Sequence, residues 1–437
     1  MQRKRNQFLT TVYDMRKYLL LWATQMFSGL GSGMTSYAIV IWVYESTGQA
    51  MATAGMMVAS YTPYILGSMF AGALSDRWNK KKIMLVCDVL SALTTVIIMV
   101  LMGAGQLQLW HLYALNFLSG LMNTVQQPAS EVATTALLPK EYFQKVGGLR
   151  YLSSALNGIL KPILAMAVLG LWGMDAVFMF DLFTFVVAFV VLWLFIDIPQ
   201  TTPKDVTKES LWRAATDVLR WLKRNPAVLH MMLFLAGINL VASMYEAAFP
   251  AMVLSRVGGG EQVMGWVNAS IGAATLVGSI WASFARAPKS RVHVVCNTLL
   301  FSMATENIIL ALGRTPLVWC IAGFLGWIAI PLMNANLDVL MRTNIPVEMQ
   351  GRVYSARNSL QFFTIPVGYF LGGYLVDHVF EPMMAQRSMQ SLLVNIFGSG
   401  KGSGAACFFA FIWFVGLMIP VVFRFDKHIW NLEKKPN

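Results

Sequence analysis

The sequence predicts an all-α protein that crosses a membrane many times. Of its 437 residues, 57% are hydrophobic and 12% are charged, whereas soluble domains carry about 25% charged residues. The mean hydropathy is +0.58. The apolar residues fall into long runs, and Lys and Arg cluster in the short segments between those runs. This combination excludes a soluble domain held by a single anchor.

Twelve apolar runs are each long enough to cross a bilayer as a helix. We number them spans 1 to 12. They lie near residues 18–43, 51–74, 83–104, 109–135, 147–171, 174–196, 227–253, 262–284, 292–312, 315–341, 354–379 and 405–424. The first run is too long for the apolar part of a signal peptide, so we expect it to be retained as span 1.

The distribution of positive charge predicts the orientation of the spans. One alternate set of loops, together with both termini, holds 26 Lys and Arg residues, and the other set holds 4. Because Lys and Arg accumulate on the cytoplasmic side of a membrane, both termini are expected in the cytoplasm. The net charge of +12 therefore reflects topology, and we expect no nucleic-acid partner.

The sequence contains no constellation that indicates catalysis or a cofactor. Its four cysteines lie in or at the ends of apolar runs, without the spacing of a metal site or a disulfide framework. The histidines are scattered, and the glycine-rich stretch 398–404 lacks the spacing and the preceding strand of a phosphate loop. We expect no enzyme activity, no metal site and no cofactor.

The longest interior loop, residues 197–226, divides the chain into two six-span halves. Apolar residues between 208 and 224 recur at helical spacing, which predicts an amphipathic helix on the inner membrane surface. The expected domains are therefore residues 1–196, the linker 197–226 and residues 227–437.

The two halves resemble each other in sequence. Seven positions between residues 131 and 150 recur 207 residues later, so that Glu131 corresponds to Asp338 and Arg150 to Arg357. Both stretches join the fourth span of their half to the fifth. Parallel repeats of this kind are typical of secondary transporters.

The loop between spans 2 and 3, residues 72–82, has the sequence GALSDRWNKKK. A basic loop is enough to set topology, but the order of these residues resembles the signature loop of the major facilitator superfamily, G-x-x-x-D-R-x-x-[RK]-[RK]. The matching residues are Gly72, Asp76, Arg77, Lys80 and Lys81. The resemblance implies the major facilitator fold, with 12 transmembrane helices in two six-helix pseudo-repeats.

Three further stretches occur together in bacterial macrolide-efflux-like exporters of this superfamily. They are Trp42–Gly48, Arg352–Ser355, and Glu381-Pro382 with the glycine run that precedes span 12. The resemblance implies a monomeric antiporter of the bacterial inner (plasma) membrane that exports bulky amphipathic compounds, such as macrolide-like drugs, against protons. Two alternatives stay open: a physiological exporter of a siderophore, peptide or lipid, and a non-transporting membrane sensor or assembly factor.

In this family the acidic residue of the signature loop locks the two halves together through the N-terminal end of span 11. We expect Asp76 to reach the end of span 11 that carries Arg352 and Arg357, because a helix N-terminus is partly positive. Span 4 lacks the Arg that many relatives supply. The expected substitutes are the pairs Glu131–Arg150 and Asp338–Arg357, although pairs of this kind can also serve only to pin helix ends.

Charged residues inside apolar spans are costly and usually functional. Lys161 in span 5 and Asp181 in span 6 lie at similar distances from the turn between the spans, so we expect a pair that is either structural or functional. Glu246 lies on span 7, which lines the central cavity in the superfamily plan. We expect it to be buried there and to bind a proton or a cationic substrate. Glu306, on the peripheral span 9, is expected to be paired or near an interface.

Polar residues on the cavity spans are candidate substrate contacts, although such residues often make hydrogen bonds between helices instead. The candidates are Gln25, Asn123, Asn239 and Asn336. The glycines at 29, 31 and 33 in span 1 predict close helix packing.

Replacing Asp76 tests the predicted lock. We expect Asp76→Asn to reduce export while leaving the amount of protein in the membrane intact, because Asn lacks the charge that a helix N-terminus favours. Drug accumulation in cells, normalised to protein level, measures this effect. Unchanged export would remove the lock from the interpretation.

Overall fold

The computed structural model describes residues 15–137, 143–198, 219–346, 353, 360–388 and 390–433. Side chains are described at these positions except at 68–77, 135 and 143–152. Within these ranges the protein is α-helical and contains no strand. The predicted all-α fold class is therefore confirmed.

A helix lies on each of the twelve predicted runs within the described residues. Spans 1 to 6 correspond to helices Arg16–Thr47, Ala50–Arg77, Lys80–Gly103, Leu109–Ala136 and the long helix Phe143–Phe195, which holds spans 5 and 6. Spans 7 to 12 correspond to Pro226–Ser255, Glu261–Phe284, Arg291–Leu312, the pair Pro316–Ile328 and Ile330–Asn344, then Thr364–Leu375, and Ser403–Arg424. Short helices Glu381–Ala385, Leu392–Phe397 and Lys427–Trp430 flank span 12.

Eight of these helices are long and apolar enough to cross a membrane, by length and composition. One of the eight changes direction at Gly173, whose backbone angles, φ 79° and ψ −174°, are not helical. Glycine adopts a positive φ at little cost. This residue therefore ends span 5 and begins span 6 close to the predicted turn.

The chain forms two compact units, and spans 1 and 2 contribute to both. The first unit comprises residues 1–39 and 66–206, and the second comprises residues 40–65 and 207–437. Of the predicted linker helix, residues 219–224 are helical, with Leu222 buried and Leu219 exposed. Residues 199–218 lie outside the described part of the chain, so the predicted domain boundaries stay a prediction.

The first unit packs spans 1, 3, 4 and 6 around one apolar cluster. Its members include Leu21, Met84, Met122, Ala129 and Leu192. A second cluster joins spans 1, 5 and 6 through residues such as Met34, Ala165 and Val177.

The second unit packs span 7 on spans 11 and 12, span 8 on span 10, and span 9 on spans 10 and 12. The C-terminal segment is tied to span 7 where Asp426 Oδ2 lies 2.5 Å from His230 Nδ1. Burial alone would raise the pKa of Asp426, but hydrogen bonds from His230 and from the His428 backbone N–H lower it below its ordinary value.

Two of the three glycines in span 1 face charged side chains of spans 5 and 6. A Cβ at Gly31 would collide with Thr184 Oγ1 and lie 3.0 Å from Asp181 Cα. A Cβ at Gly33 would lie 2.5 Å from Lys161 Cδ. By contrast, nothing lies within 4 Å of a Cβ at Gly29. Gly31 and Gly33 therefore allow span 1 to pack closely against the residues that carry the charges.

This packing predicts a difference between two substitutions of the same kind. We expect Gly31→Ala to destabilise the protein by about 1–3 kcal/mol, because the added methyl group overpacks the contact with Thr184. The melting temperature of the purified protein in detergent should fall. Gly29→Ala is the matched control, since it gains the same helix propensity without a new contact. Equal melting temperatures for the two variants would contradict the close packing.

Candidate transport cavity and gating contacts

The signature loop forms a tight connection between spans 2 and 3. Span 2 ends at Arg77 and span 3 begins at Lys80. Asn79 caps span 3 by accepting a 3.1 Å hydrogen bond from the Lys82 backbone N–H. Lys81 donates to the Trp193 carbonyl at 2.9 Å and lies 3.6 Å from Asp197. Lys81 therefore holds the loop against the end of span 6.

The remaining signature residues and several of the predicted charge pairs cannot be placed. Position 72 and the side chains of Asp76, Arg77 and Arg150 lie outside the described side-chain positions. Residues Arg352 and Arg357 lie outside the described residues. Glu131 is exposed. Asp338 forms a 2.9 Å ion pair with Arg342, one turn further along its own helix. The predicted Asp338–Arg357 and Glu131–Arg150 pairs stay predictions.

The buried acid of the first unit is surrounded by hydroxyl groups. Asp181 accepts hydrogen bonds of 2.9 Å from Ser32 of span 1 and from Thr95 of span 3. Lys161 packs against Gly33 of span 1. The structure thus brings both predicted charges to span 1, and their pairing stays a prediction.

The sequence analysis did not single out Asp88, another acid within a membrane span. Asp88 in span 3 accepts a 2.6 Å hydrogen bond from Gln126 Nε2 of span 4, and Gln25 of span 1 is also close to its carboxylate. Gln25 was predicted as a cavity residue, and its contact with Asp88 links span 1 to span 3. The sequence signal that could have identified Asp88 is its position, since it is an acid within the first two turns of an apolar run and next to the basic loop.

The second unit contains a cavity of about 220 Å³ between spans 7, 9, 10 and 11. Most of its lining is apolar. The polar and aromatic lining residues are Asn239, Tyr245, Glu246, Ser302, Glu306, Asn307, Trp327, Asn334 and Gln361. The described lining contains no Lys, Arg or His. Two carboxylates therefore share a cavity whose described wall supplies no positive side chain.

Glu246 is exposed, whereas Tyr245 and Ala247 beside it are buried. The sequence suggested a buried carboxylate, and the structure corrects this: Glu246 lines the cavity on its accessible side. The hydroxyl of Tyr369 in span 11 donates a short hydrogen bond to Glu246 Oε2. The Tyr369 ring lies 5.6 Å from the ring of Tyr61 in span 2. Glu246 is thus connected through Tyr369 to Tyr61 of span 2.

Glu306 is only 6% exposed and also lines the cavity. Trp327 Nε1 donates a 3.1 Å hydrogen bond to its carboxylate. Gly326 leaves room for that carboxylate, because a Cβ there would collide with Glu306 Oε2. The expected pairing is found, with Trp327 as the partner. Span 9 turns this residue inward between spans 7 and 10.

The predicted amide contacts divide between the cavity and the helix interfaces. Asn239 lines the cavity and donates to the Gln361 carbonyl at 3.1 Å. Asn336 is buried away from the cavity lining and accepts a 2.9 Å hydrogen bond from Arg291. Asn123 is exposed on span 4. Asn334, two residues before Asn336, is the amide of span 10 that lines the cavity.

We call the ends of the spans that are joined by the sparsely charged loops the outer ends. At these ends, spans 1 and 2 contact spans 7 and 11. Asp377 accepts hydrogen bonds of 3.0 Å and 2.7 Å from the backbone N–H groups of Ala50 and Met51, the first residues of span 2. Gly373 packs directly on Met51. The Tyr44 hydroxyl lies 2.6 Å from Ser255 Oγ. We call these contacts the outer clasp.

Comparisons with known proteins agree with this architecture. Macrolide efflux protein A of Streptococcus pyogenes is 22% identical over 373 residues, which cover 83% of this chain and 90% of that protein. The multidrug efflux pump Tap of Mycolicibacterium fortuitum is 22% identical over 82% of this chain and 89% of its own. The enterobactin exporter EntS of Citrobacter koseri is 22% identical over 74% of this chain and 76% of its own.

Two solved structures share the fold at low identity. A mutant of the nucleoside transporter NupG superposes with a TM-score of 0.66 at 12% identity, covering 93% of this chain and 99% of that chain. A bacterial homologue of the human lysosomal transporter Spinster, in an inward-facing and unoccupied conformation, gives 0.65 at 14% identity, covering 97% and 99%.

The profile of the Major Facilitator Superfamily matches residues 21–369, which is most of the chain. Together with the helical architecture and the signature loop, this match shows that the chain is a membrane transporter of the Major Facilitator Superfamily.

Proposed function

We propose that this protein exports bulky amphipathic compounds by alternating access, driven by protons entering the cell. It acts as a monomer in the bacterial inner membrane with both termini in the cytoplasm. Relatives that carry the names of macrolide, multidrug and enterobactin exporters support export. A siderophore, peptide or lipid exporter and a non-transporting sensor are the alternatives.

Glu246 carries the proposal, because it is a carboxylate within a membrane span that faces an accessible cavity. A charged group inside a bilayer is costly unless it has a function or a partner. When Glu246 is ionised, it accepts the hydrogen bond of Tyr369. A proton on Glu246 removes the charge and weakens that bond, because hydrogen bonds to ionised acceptors are about twice as strong as neutral ones.

Tyr369 connects this proton site with the contact between spans 2 and 11. Its ring packs with Ala54 of span 2 and Ala247 of span 7 in one apolar cluster. A change in the Tyr369–Glu246 bond therefore alters a residue that holds the outer half of span 2. Protonation of Glu246 can therefore change the packing between spans 2 and 11, which alternating access must alter.

Removing the acid at position 246 tests the proton site. We expect Glu246→Gln to abolish uptake into inverted membrane vesicles that is driven by an imposed pH gradient, because Gln cannot accept a proton. The labelled substrate is a compound selected from a susceptibility panel of antibiotics and siderophores, using cells with and without the protein.

Asp175→Asn is the control, since it also changes an acid to its amide, at an exposed position between spans 5 and 6. Its uptake should match that of the unaltered protein. Retained pH-driven uptake in Glu246→Gln would exclude Glu246 as the coupling residue. A panel in which no compound changes its accumulation would favour the non-transporting alternative.

The outer clasp is the proposed outer counterpart of the Asp76 lock. Asp377 neutralises the partial positive charge at the N-terminus of span 2 and accepts two of its otherwise unpaired N–H groups. In an exporter this contact closes the outer side while substrate enters from the cytoplasm, and it must break when the outer side opens.

Loss of the Asp377 carboxylate should release the outer end of span 2. A lost helix cap costs about 0.5–2 kcal/mol, and a difference of one or two kcal/mol changes a two-state population by roughly 5–30-fold. We expect Asp377→Ala to accelerate labelling of a cysteine introduced by Met57→Cys. A membrane-impermeant maleimide applied outside cells measures the rate, after the four native cysteines are replaced.

His378→Ala is the control, because His378 is the exposed neighbour of Asp377 and makes no contact with span 2 that the structure describes. Its labelling rate should equal that of the parent protein. Equal labelling rates in Asp377→Ala and in the parent would show that the carboxylate does not hold the outer side closed.

A further inference from the structure

Glu306 and its surroundings form a polar end in an otherwise apolar cavity. Glu306 and the adjacent Asn307 are 6% and 2% exposed, and both line the cavity. Neither residue is needed for the proton step assigned to Glu246. Two buried polar side chains in hydrocarbon surroundings require partners, because an unpaired polar group is expensive there.

Several hydrogen-bonding groups at this end have no well-formed partner among the described residues. Asn307 Oδ1 has no hydrogen-bond partner in the part of the chain that the structure describes, and its Nδ2 reaches only Met303 Sδ at 3.8 Å. The Glu306 carboxylate has one well-formed donor, the Trp327 indole. Tyr245 lies near that carboxylate, but its hydroxyl makes no well-formed hydrogen bond. A ligand that donates hydrogen bonds would give the Glu306 carboxylate a second donor, and it would pair with the enclosed Asn307 Oδ1 once that amide turns towards the cavity.

The charges favour the same kind of ligand. Glu246 and Glu306 both carry carboxylates into the cavity, and its described lining holds no cationic side chain. Trp327 and Tyr245 add aromatic rings, which attract organic cations. An anionic ligand would instead face two carboxylates.

The size of the cavity limits which part of a ligand can enter. Pockets for whole drug-sized molecules measure about 300–1,000 Å³, and this cavity measures about 220 Å³. It has room for the head of a larger compound. The apolar side chains of Leu235, Ile238, Leu299 and Ile330 suit an alkyl or aryl group attached to that head.

We propose that Glu306, Asn307 and Trp327 form a binding site for the protonated amine of an amphipathic substrate. Its two ammonium N–H groups donate to Glu306 and to Asn307 Oδ1, and its apolar substituents lie against Trp327 and the aliphatic wall. This inference rests on the proposed export function and narrows its substrate class to organic amines, which disfavours an anionic siderophore.

Binding measurements on the purified full-length protein in lipid nanodiscs test the site. The probes are N-methyl-1-naphthylmethylamine, whose ammonium carries two N–H groups, and its carbon isostere 1-propylnaphthalene, which has the same shape and no charge. Equilibrium dialysis at neutral pH, corrected with empty nanodiscs, gives the preference for the amine. We expect a preference of about tenfold or more, the size of one hydrogen bond to a charged group.

Glu306→Gln should remove this preference while leaving binding of the isostere unchanged. Asn307→Leu keeps the side-chain volume and should reduce the preference in part; it is the deciding variant if Glu306→Gln cannot be purified. Asp175→Asn should keep the full preference.

An unaltered protein without a preference for the amine would overturn the inference, and so would an unchanged preference in Glu306→Gln. If Glu306→Gln cannot be purified, an unchanged preference in Asn307→Leu would overturn the inference. An equal loss of the amine preference in Asp175→Asn would also overturn it. These outcomes are independent of export, because the assay uses no gradient. A protein that binds the amine but does not transport would retain this site and refute the proposed function.

Discussion

A carboxylate inside a bilayer has no water to bind, so the protein must supply every donor or counter-charge that it needs. This constraint explains the polar contacts among the described spans. Asp181 takes hydroxyl groups from two other spans, Asp88 takes an amide from span 4, and Glu306 takes the Trp327 indole. Each acid therefore joins its own span to at least one other span.

Backbone groups meet the same requirement at the outer ends of the spans. The first N–H groups of a helix have no partner within the helix, and Asp377 accepts two of them from span 2. Spans 1 and 2 contribute residues to both compact units. A polar contact at a helix end is suited to a reversible role, because both the carboxylate and the N–H groups can be hydrated when it opens.

The cavity of the second unit combines two acids in different environments. Glu246 is exposed and tied to a tyrosine of span 11, whereas Glu306 is enclosed beside an unpartnered amide oxygen. The accessible acid is suited to exchanging protons, and the enclosed one to selecting a ligand. If one cavity performs both tasks, a proton on Glu246 reduces the negative charge that attracts a cationic substrate to Glu306, which is a simple physical basis for exchange.

Hydropathy and a contiguous signature are local properties of the chain, so the sequence alone identifies the class of protein, the positions of the spans and the transporter family. It also indicated that span 1 packs closely through its glycines. The direction in which each polar side chain points depends on how the helices pack in three dimensions. Glu306 and Asn334 line the cavity while Asn336 does not, because a rotation of one or two helical positions separates a lining residue from a buried one. Asp88 and the Asp377 cap depend on partners in other spans, and no local pattern encodes which spans will meet.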